Sequence, residues 1–426
     1  MKTAMRLPLP PIAILYNLLI ALALPFVFLR LLWKSRRNPA YRHHLSQRFA
    51  YDLPPAPAQC FWFHAVSVGE FIALKPLLIE IINHDPNQNL WITMTTPTGR
   101  AQIAAFAKLY PERVVYSYFP YDFFHIQRRF IKHVQPRVAV FMETELWFNA
   151  LHIIQQQHIP SYLINARLSR RSLHGYYRFA RSLLAPVLKK MQVSAQHCDD
   201  ARRLKKLGVP AENIIVLPTL KYVMSPKNPD ETLCFLPSKQ HWLCIAASTH
   251  APEEADIIAA FKVLQKTEPQ ACLCIAPRHP ERRQEISKTI LAAGYQPKWR
   301  SRGEQLNHHS EIFLLDTIGE LARVYQIAEI AIIGGSFYQH GGQNPLEAIH
   351  AGCAVCFGAS MTNFQHIAAE LIHQPFVRQC RRETLAQTLI FLRTLHYPRE
   401  KIRIYGQNRA AEVLEQHYRH FYRVLS

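Results

Sequence analysis

The sequence predicts an α/β protein of two doubly wound domains behind an N-terminal membrane anchor. Three observations predict it. The chain has 426 residues, too many for one typical core. Apolar β-type runs alternate with helical stretches through both halves, the pattern of parallel strands covered on both faces. No charged residue stands between Arg6 and Arg30. That stretch can cross the hydrocarbon of a bilayer, which takes roughly 20 residues of helix.

The anchor comes first, over Leu7–Leu29. Lys34, Arg36, Arg37 and Arg42 follow it, and the positive-inside rule then puts the rest of the chain in the cytoplasm. A cleaved signal peptide is the rival. Ala21-Leu22-Ala23 resembles a cleavage site, but the apolar run continues past it as PFVFLRLLW. Pro11, Asn17 and Pro25 interrupt a clean spanning helix, so a span and a shallow insertion both stand.

After a Pro/Ala linker at Pro54–Pro57, the first-half strands fall at Phe61–Val66, Leu90–Thr95, Arg113–Tyr118, Val138–Met142, Ser161–Asn165, Gln192–Ala195 and Ile214–Leu217. Helical stretches such as Phe71–Ile82 and Arg100–Tyr110 separate them. The second half repeats the alternation at Trp242–Ala247, Cys272–Ala276, Ile312–Leu315, Ile330–Ile333 and Ala354–Phe357. Pro218–Pro229 reads as the interdomain linker, and Glu383–Ser426 reads as helices. The expected division is an anchor over 1–33, a first domain over 34–225 and a second over 226–426. Ligands of such sheets bind at the carboxyl ends of the strands, here in a cleft between the domains.

Charge is unevenly placed. Of the net +20, residues 1–225 hold 28 Lys and Arg against 11 Asp and Glu, and the remainder holds 22 against 19. A basic first half suits an anionic partner: nucleic acid, a phosphorylated substrate or the anionic surface of a membrane. The 9 cysteines are scattered, most in apolar runs, as reduced core cysteines are. Cys353-Ala354-Val355-Cys356 has no second pair at zinc-finger spacing and reads as core. The pairs His43–His44 and His308–His309 lack a metal-site frame and read as solvated.

One stretch, AIIGGSFYQHGGQNPLEA over 331–348, joins a strand to a helix start through two double glycines. Asn344 stands where an N-cap belongs, Pro345 at the first helical position and Glu347 in the first turn. Two readings are open. Free backbone N–H groups and a helix N-terminus can bind a phosphate; or Asn344 and Glu347 form a capping-box-like pair and the loop is punctuation. It is neither G-x-G-x-x-G nor a P-loop.

Other strand ends also carry polar groups. The first ends in His64-Ala65-Val66-Ser67-Val68-Gly69-Glu70, so Glu70 begins a helix there, as a general base or as an acid favoured by the helix dipole. Others end in Met142-Glu143-Thr144-Glu145-Leu146-Trp147, Asn165-Ala166-Arg167-Leu168-Ser169, Ala247-Ser248-Thr249-His250, Pro277-Arg278-His279-Pro280 and Asp316-Thr317-Ile318-Gly319-Glu320-Leu321.

Taken in order, HAVSVGE, METELW, NARLSRRS, ASTH, APRHPER, DTIGEL and GGSFYQHGGQNPLEA resemble the bacterial 3-deoxy-D-manno-octulosonic acid (Kdo) transferases of lipopolysaccharide synthesis. The resemblance runs from the anchor to about residue 370. It implies a GT-B architecture, two Rossmann-like domains facing a cleft, with the first taking the lipid A precursor and the second CMP-Kdo. It implies inverting transfer of Kdo from CMP-Kdo to that precursor at the inner membrane, on the cytoplasmic side, with no cofactor and no metal. Glu70 matches the family's proton acceptor, and Glu143 and Lys221 its transition-state stabilisers. The CMP contacts fall on Pro277, Arg278, Gly319, Glu320, Leu321, Asn344, Pro345, Leu346 and Glu347. The chain departs from the family at Pro218-Thr219-Leu220-Lys221-Tyr222-Val223, where G-[NS]-L-K-F-D is usual, and at Gln343 and Ala348. Three rivals remain for comparison. A UDP-dependent transferase acting on an undecaprenyl-linked sugar lacks METELW, NARLS and PRH. A sugar-nucleotide epimerase needs no anchor. A nucleic-acid-binding protein explains neither the anchor nor the strand ends, so no nucleic acid is expected as a partner.

Overall fold

A computed structural model describes residues 11–36, 38–223, 235, 241–308 and 310–425. The chain divides into two compact units, residues 1–223 with 412–426, and residues 224–411. Each holds one parallel sheet of seven strands.

In the first unit the strands are β1 (Phe61–Ala65), β2 (Leu90–Met94), β3 (Val114–Tyr118), β4 (Val138–Met142), β5 (Ser161–Ala166), β6 (Gln192–Ala195) and β7 (Ile214–Val216). Their spatial order is β3-β2-β1-β4-β5-β6-β7. The chain winds outward from β1 to β3, then crosses back to lay β4 against β1. That reversal is the topological switch point of a doubly wound sheet, where ligands bind at the carboxyl ends of the strands. β1, β2, β4 and β5 are buried along their whole length, which accounts for their uninterrupted apolar sequences.

The second unit has β8 (Trp242–Thr249), β9 (Ala271–Pro277), β10 (Gln296–Trp299), β11 (Glu311–Leu314), β12 (Ala328–Ile333), β13 (Ala354–Phe357) and β14 (Val377–Gln379). Their order is β10-β11-β9-β8-β12-β13-β14, with the reversal between β8 and β12. The sequence pattern missed β10 and β14, the two edges.

The tail corrects the expected division. Its last helix, Arg399–Leu425, carries residues 412–426 into the first unit rather than the second. Phe421 meets Phe61 edge-on at 5.5 Å and stacks on Tyr162 at 6.1 Å. Buried His417 donates from Nε2 to the Pro218 carbonyl at 2.8 Å. The interdomain linker read at Pro218–Pro229 begins as a short 3-10 turn, Leu220–Val223; residues 224–229 lie outside the described residues.

The N-terminal helix spans Pro11–Ser35, with a mean hydropathy of 2.5 over its most apolar window. It is long and apolar enough to cross a membrane. Residues 7–10 of the expected anchor lie outside the described residues.

Candidate functional site

The first constellation lies where β1, β4 and β5 end. Ser67 caps the helix Val68–His84, and its Oγ accepts the Glu70 N–H at 3.3 Å. Glu70 returns the contact: one carboxylate oxygen accepts from Ser67 Oγ at 3.0 Å, the other from the Val66 N–H at 2.9 Å. The capping reading of Glu70 is therefore correct as geometry. It does not displace the chemical reading, because the same contacts fix the carboxylate at the switch point. Burial raises the Glu70 pKa and the charge of Glu143 adds to it, against the Val66 N–H, Ser67 and the charge of Lys221. The structure thus brings Glu70, Glu143 and Lys221 into one electrostatic group.

Backbone strain helps to place the other two. Glu143 leaves β4 at φ +53°, a left-handed conformation that a glutamate rarely adopts. Its N–H is held by the Ile164 carbonyl at 3.0 Å, and Thr144 Oγ1 donates to the Arg167 carbonyl. Asn165 is left-handed too, at φ +55°. Its Oδ1 accepts the Leu220 N–H at 3.0 Å, so the NARLS segment holds the turn that carries Lys221. His417 holds the same turn through Pro218. The altered family loop therefore keeps its lysine through two side-chain anchors.

A residue that sequence reasoning left unassigned joins this group. Glu145 feels Glu70 and Glu143, and burial is the largest cause of its pKa rising to about 7. Trp147 Nε1 donates to its Oε2 at 2.7 Å, and His64 Nε2 lies 4.0 Å from the same oxygen. His64 is fully buried, and burial pushes its pKa down to about 3. Its Nδ1 is 3.2 Å from the Thr93 carbonyl and 3.0 Å from Thr93 Oγ1. A carbonyl only accepts, so Nδ1 carries the proton and Nε2 presents a lone pair. The neighbour that suits that lone pair is a protonated carboxyl. Burial lowers the His64 pKa and raises that of Glu145, so both shifts favour neutral neighbours over an ion pair. A cavity of about 300 Å³, lined by Glu145, Trp147, Tyr16 and Tyr176 among others, opens beside them.

The second constellation lies where β8, β9, β11 and β12 end. Here the Gly-rich loop differs from expectation. The helix after it is Leu346–Ala351, one residue later than read, with Pro345 at the N-cap and Asn344 Oδ1 accepting the Leu346 N–H at 3.1 Å. The loop's N–H groups do not converge on open space. That of Gly335 goes to Glu253 Oε1 at 2.6 Å and that of Gly341 to Ser360 Oγ at 3.2 Å. Those of Gly342 and Gln343 go to the carbonyls of Gly335 and Gly334. The double glycines serve close approach instead: a Cβ on Gly334 would stand 2.5 Å from the Ser248 carbonyl oxygen.

Glu253, which the sequence reading did not single out, is the anion of that loop. It is fully buried, and its Oε1 also takes the His250 N–H at 2.7 Å. Burial raises its pKa to about 7, against hydrogen bonds from Gly335, His250 and Phe337. Around it, the His250 ring stacks on His340 at 4.6 Å and meets His279 edge-on at 5.8 Å.

The carried-over contact residues stand at the strand ends of this unit. Pro277 ends β9 and is buried; Arg278 is exposed, its N–H held by the Thr249 carbonyl at 3.0 Å. Among the described residues the Arg278 guanidinium has no hydrogen-bond or ion-pair partner. Gly319 turns at φ +91° into open space. Glu320 is gripped by Arg300, with contacts of 2.7–3.1 Å that lower its pKa, so its side chain is already committed. Leu321 opens the next helix. Glu347 is half-buried and its charge acts on Tyr325. The Cys353–Cys356 pair is buried, and Cys353 Sγ donates to the Tyr325 and Ala328 carbonyls. Among the described residues no group of three His, Cys, Asp or Glu is arranged to hold a metal.

The chain is similar to known proteins over most of its length. A family model described as 3-Deoxy-D-manno-octulosonic-acid transferase (kdotransferase) matches residues 43–224. The 3-deoxy-D-manno-octulosonic acid transferase of Haemophilus influenzae is 34% identical over 365 residues, covering 84% of each chain. Among solved structures, a UDP-GlcNAc 2-epimerase of Neisseria meningitidis shares the fold at TM-score 0.56 and 14% identity, covering 82% of this chain and 94% of that one. A glycosyltransferase of Rickettsia africae does so at TM-score 0.55 and 11% identity, covering 86% and 98%. At such identities these two show a fold of the GT-B kind alone.

Proposed function

The chain belongs to the 3-deoxy-D-manno-octulosonic acid transferases, which are glycosyltransferases of lipopolysaccharide synthesis, and from that premise we propose that it moves Kdo from CMP-Kdo to the lipid A precursor with inversion. Glu70 takes the proton of the acceptor hydroxyl. The hydroxyl oxygen bonds to the anomeric carbon as the bond from that carbon to the CMP phosphate breaks, and its electron pair leaves on the phosphate. A phosphate leaves without much protonation, so the help it needs is positive charge and oriented N–H groups. Arg278 is the cation assigned to the phosphate. Pro277, Gly319, Glu320, Leu321, Asn344, Pro345 and Leu346 are assigned to the rest of CMP, with Glu347 accepting from the ribose hydroxyls. Because the Glu320 carboxylate is held by Arg300, its contact is assigned to the backbone.

One observation carries the reading: Glu143 and Lys221 both act on the Glu70 carboxylate, at the switch point of the first sheet. A base that must ionise wants Lys221 beside it. A positively charged group also offsets the charge that develops on the donor. The acceptor is a phosphorylated lipid, which suits the basic first half. The first unit therefore takes the acceptor and the second the donor, with the chain held at the cytoplasmic face of the inner membrane. The test is an assay of membranes holding this chain with CMP-Kdo and tetraacylated lipid A precursor. A mass increase of one or more Kdo units is expected. No product from that pair, with CMP-Kdo consumed on another acceptor, would overturn the acceptor assignment.

A further inference from the structure

The N-terminal helix has a covered face that runs its whole length. Ala13, Tyr16, Ile20, Leu24, Phe28 and Leu31 are buried or half-buried, at spacings of three or four that mark one side of a helix. The other side is exposed: Leu22 is 61% exposed, Phe26 73% and Leu29 64%.

Both ends of the covered face are held by the same globular unit. Near the start, Tyr16 donates to Asp122 Oδ2 at 2.8 Å. Asn17 and Asn149 exchange amide hydrogen bonds at 3.2 and 3.1 Å, and Asn17 Oδ1 also accepts the Phe124 N–H at 3.1 Å. Near the end, the Phe28 and Phe49 rings stack at 6.1 Å. Arg42 Nε donates to Ser35 Oγ at 2.9 Å, and Lys34 lies over the Tyr41 ring. Asn17 is the residue that spoils a clean spanning sequence, and here its polarity has partners.

A helix rises about 1.5 Å per residue, so Tyr16 and Ser35 stand roughly 30 Å apart, the thickness of the hydrocarbon core. A helix crossing the bilayer would put Tyr16 on the far side from Ser35. The unit that binds both lies on one side only. Crossing and docking therefore exclude each other.

We propose that the helix does not cross the membrane but lies along the first unit, and that its bare ridge beds into one leaflet as a monotopic docking surface. Its occupant is a lipid bilayer with anionic headgroups. The ridge is continuous and apolar, and Arg30, Lys34, Arg36 and Arg42 cluster at its end, where headgroups lie. The adjoining helix Arg170–Phe179 adds to the same chemistry: Phe179 is 75% exposed with the Arg178 guanidinium over its ring. Tyr176 of that helix shares a cavity with Tyr16.

Two measurements on the full chain test this. An epitope tag at the N-terminus should be cut by protease in inverted inner-membrane vesicles without detergent, as the catalytic units are. A tag protected until detergent is added would overturn the proposal. Leu22→Asp with Phe26→Asp should release the chain from vesicles of phosphatidylethanolamine and phosphatidylglycerol with an unchanged thermal midpoint. Retention equal to the unaltered chain would overturn the ridge as the docking surface. Neither readout uses transferase activity, so the proposal and the assigned reaction fail separately.

Discussion

The two units build the same sheet and end their strands in acids, yet they treat those acids in opposite ways. In the second unit nearly every strand-end carboxylate described here is matched. Glu254 is held by Arg282 at 2.8 and 3.2 Å, Glu320 by Arg300, and Asp316 by the Ser301 N–H at 2.8 Å. Glu253 is matched by backbone N–H groups. In the first unit Glu143 acts on Glu70, both act on Glu145, and Lys221 acts on Glu70 as the opposing cation. Matched acids shape loops. Like charges nearby add to burial in raising the proton affinity of Glu70 and Glu145, which suits a base or a proton store. This difference supports the proposed division, with the chemistry in the first unit and the binding scaffold in the second.

The largest expected effect falls on Glu70. Glu70→Gln keeps the Val66 and Ser67 contacts within reach, so the thermal midpoint should hold. Turnover should fall about 10²–10⁴-fold for a lost general base. Turnover near that of the unaltered enzyme would leave Glu70 as a capping residue and erase the contrast between the units.

Arg278 and Glu347 test the second unit as a binding scaffold. Arg278→Ala should weaken CMP binding by about 1.5–3 kcal/mol, the range for a charged hydrogen bond. It should also lower the salt dependence of that affinity. Glu347→Ala should weaken CMP by a comparable amount while leaving inorganic pyrophosphate binding alone, because the partner proposed for it is the ribose. A lowered midpoint with unchanged CMP affinity would make Glu347 a cap instead, worth up to about 2 kcal/mol.

Glu253 sharpens the comparison from the other side. Glu253→Ala strands the His250 and Gly335 N–H groups, and a buried donor left alone costs about 1–3 kcal/mol. The midpoint should fall. Glu253→Gln keeps the accepting oxygen and should recover most of the loss, as befits an acid used for its geometry. If the glutamine variant keeps its midpoint but loses turnover as far as Glu70→Gln does, Glu253 has chemistry of its own and the division fails.

Much of this was legible in the sequence, and the gaps have physical causes. The central strands announced themselves because both faces are buried. β10 and β14 did not, since each is an edge with one neighbour and need not be apolar; Gln296-Pro297-Lys298-Trp299 even holds a proline, which edges tolerate. Glu70 was legible because it follows an apolar strand at a helix start. Glu145 was not: in Met142-Glu143-Thr144-Glu145 the two acids look alike, and what separates them is buried His64 on another strand. The glycine loop left two readings open because hydrogen-bond satisfaction is a three-dimensional property. Glu253, far along the chain, fills the nest that the spacing suggested for a ligand. The final helix was readable as a helix, but which core its Phe421 joins was not.

The smallest effect is the most specific. If Glu145 is the neutral neighbour of His64, Glu145→Gln keeps a neutral side chain of the same shape there, with the amide oxygen accepting from Trp147. Turnover should fall far less than in Glu70→Gln. Stability should change its pH dependence. A carboxyl whose folded pKa is raised binds its proton more tightly folded than unfolded. Its contribution is present below the ordinary carboxylate value of 4.5 and is lost as pH rises through about 7. The glutamine variant lacks that loss. Thermal midpoints of the two forms should therefore keep a constant offset below pH 4.5, shift in the variant's favour as pH climbs from there to about 7, and level off above it. Infrared difference spectra should show a protonated-carboxyl stretch in the unaltered chain that is missing from the variant. Midpoints that run parallel at every pH, with no such stretch, would mean that Glu145 is ionised and that His64 carries its proton on Nε2. The first unit would then hold a matched acid like those of the second, and the crowding would reduce to Glu70 and Glu143.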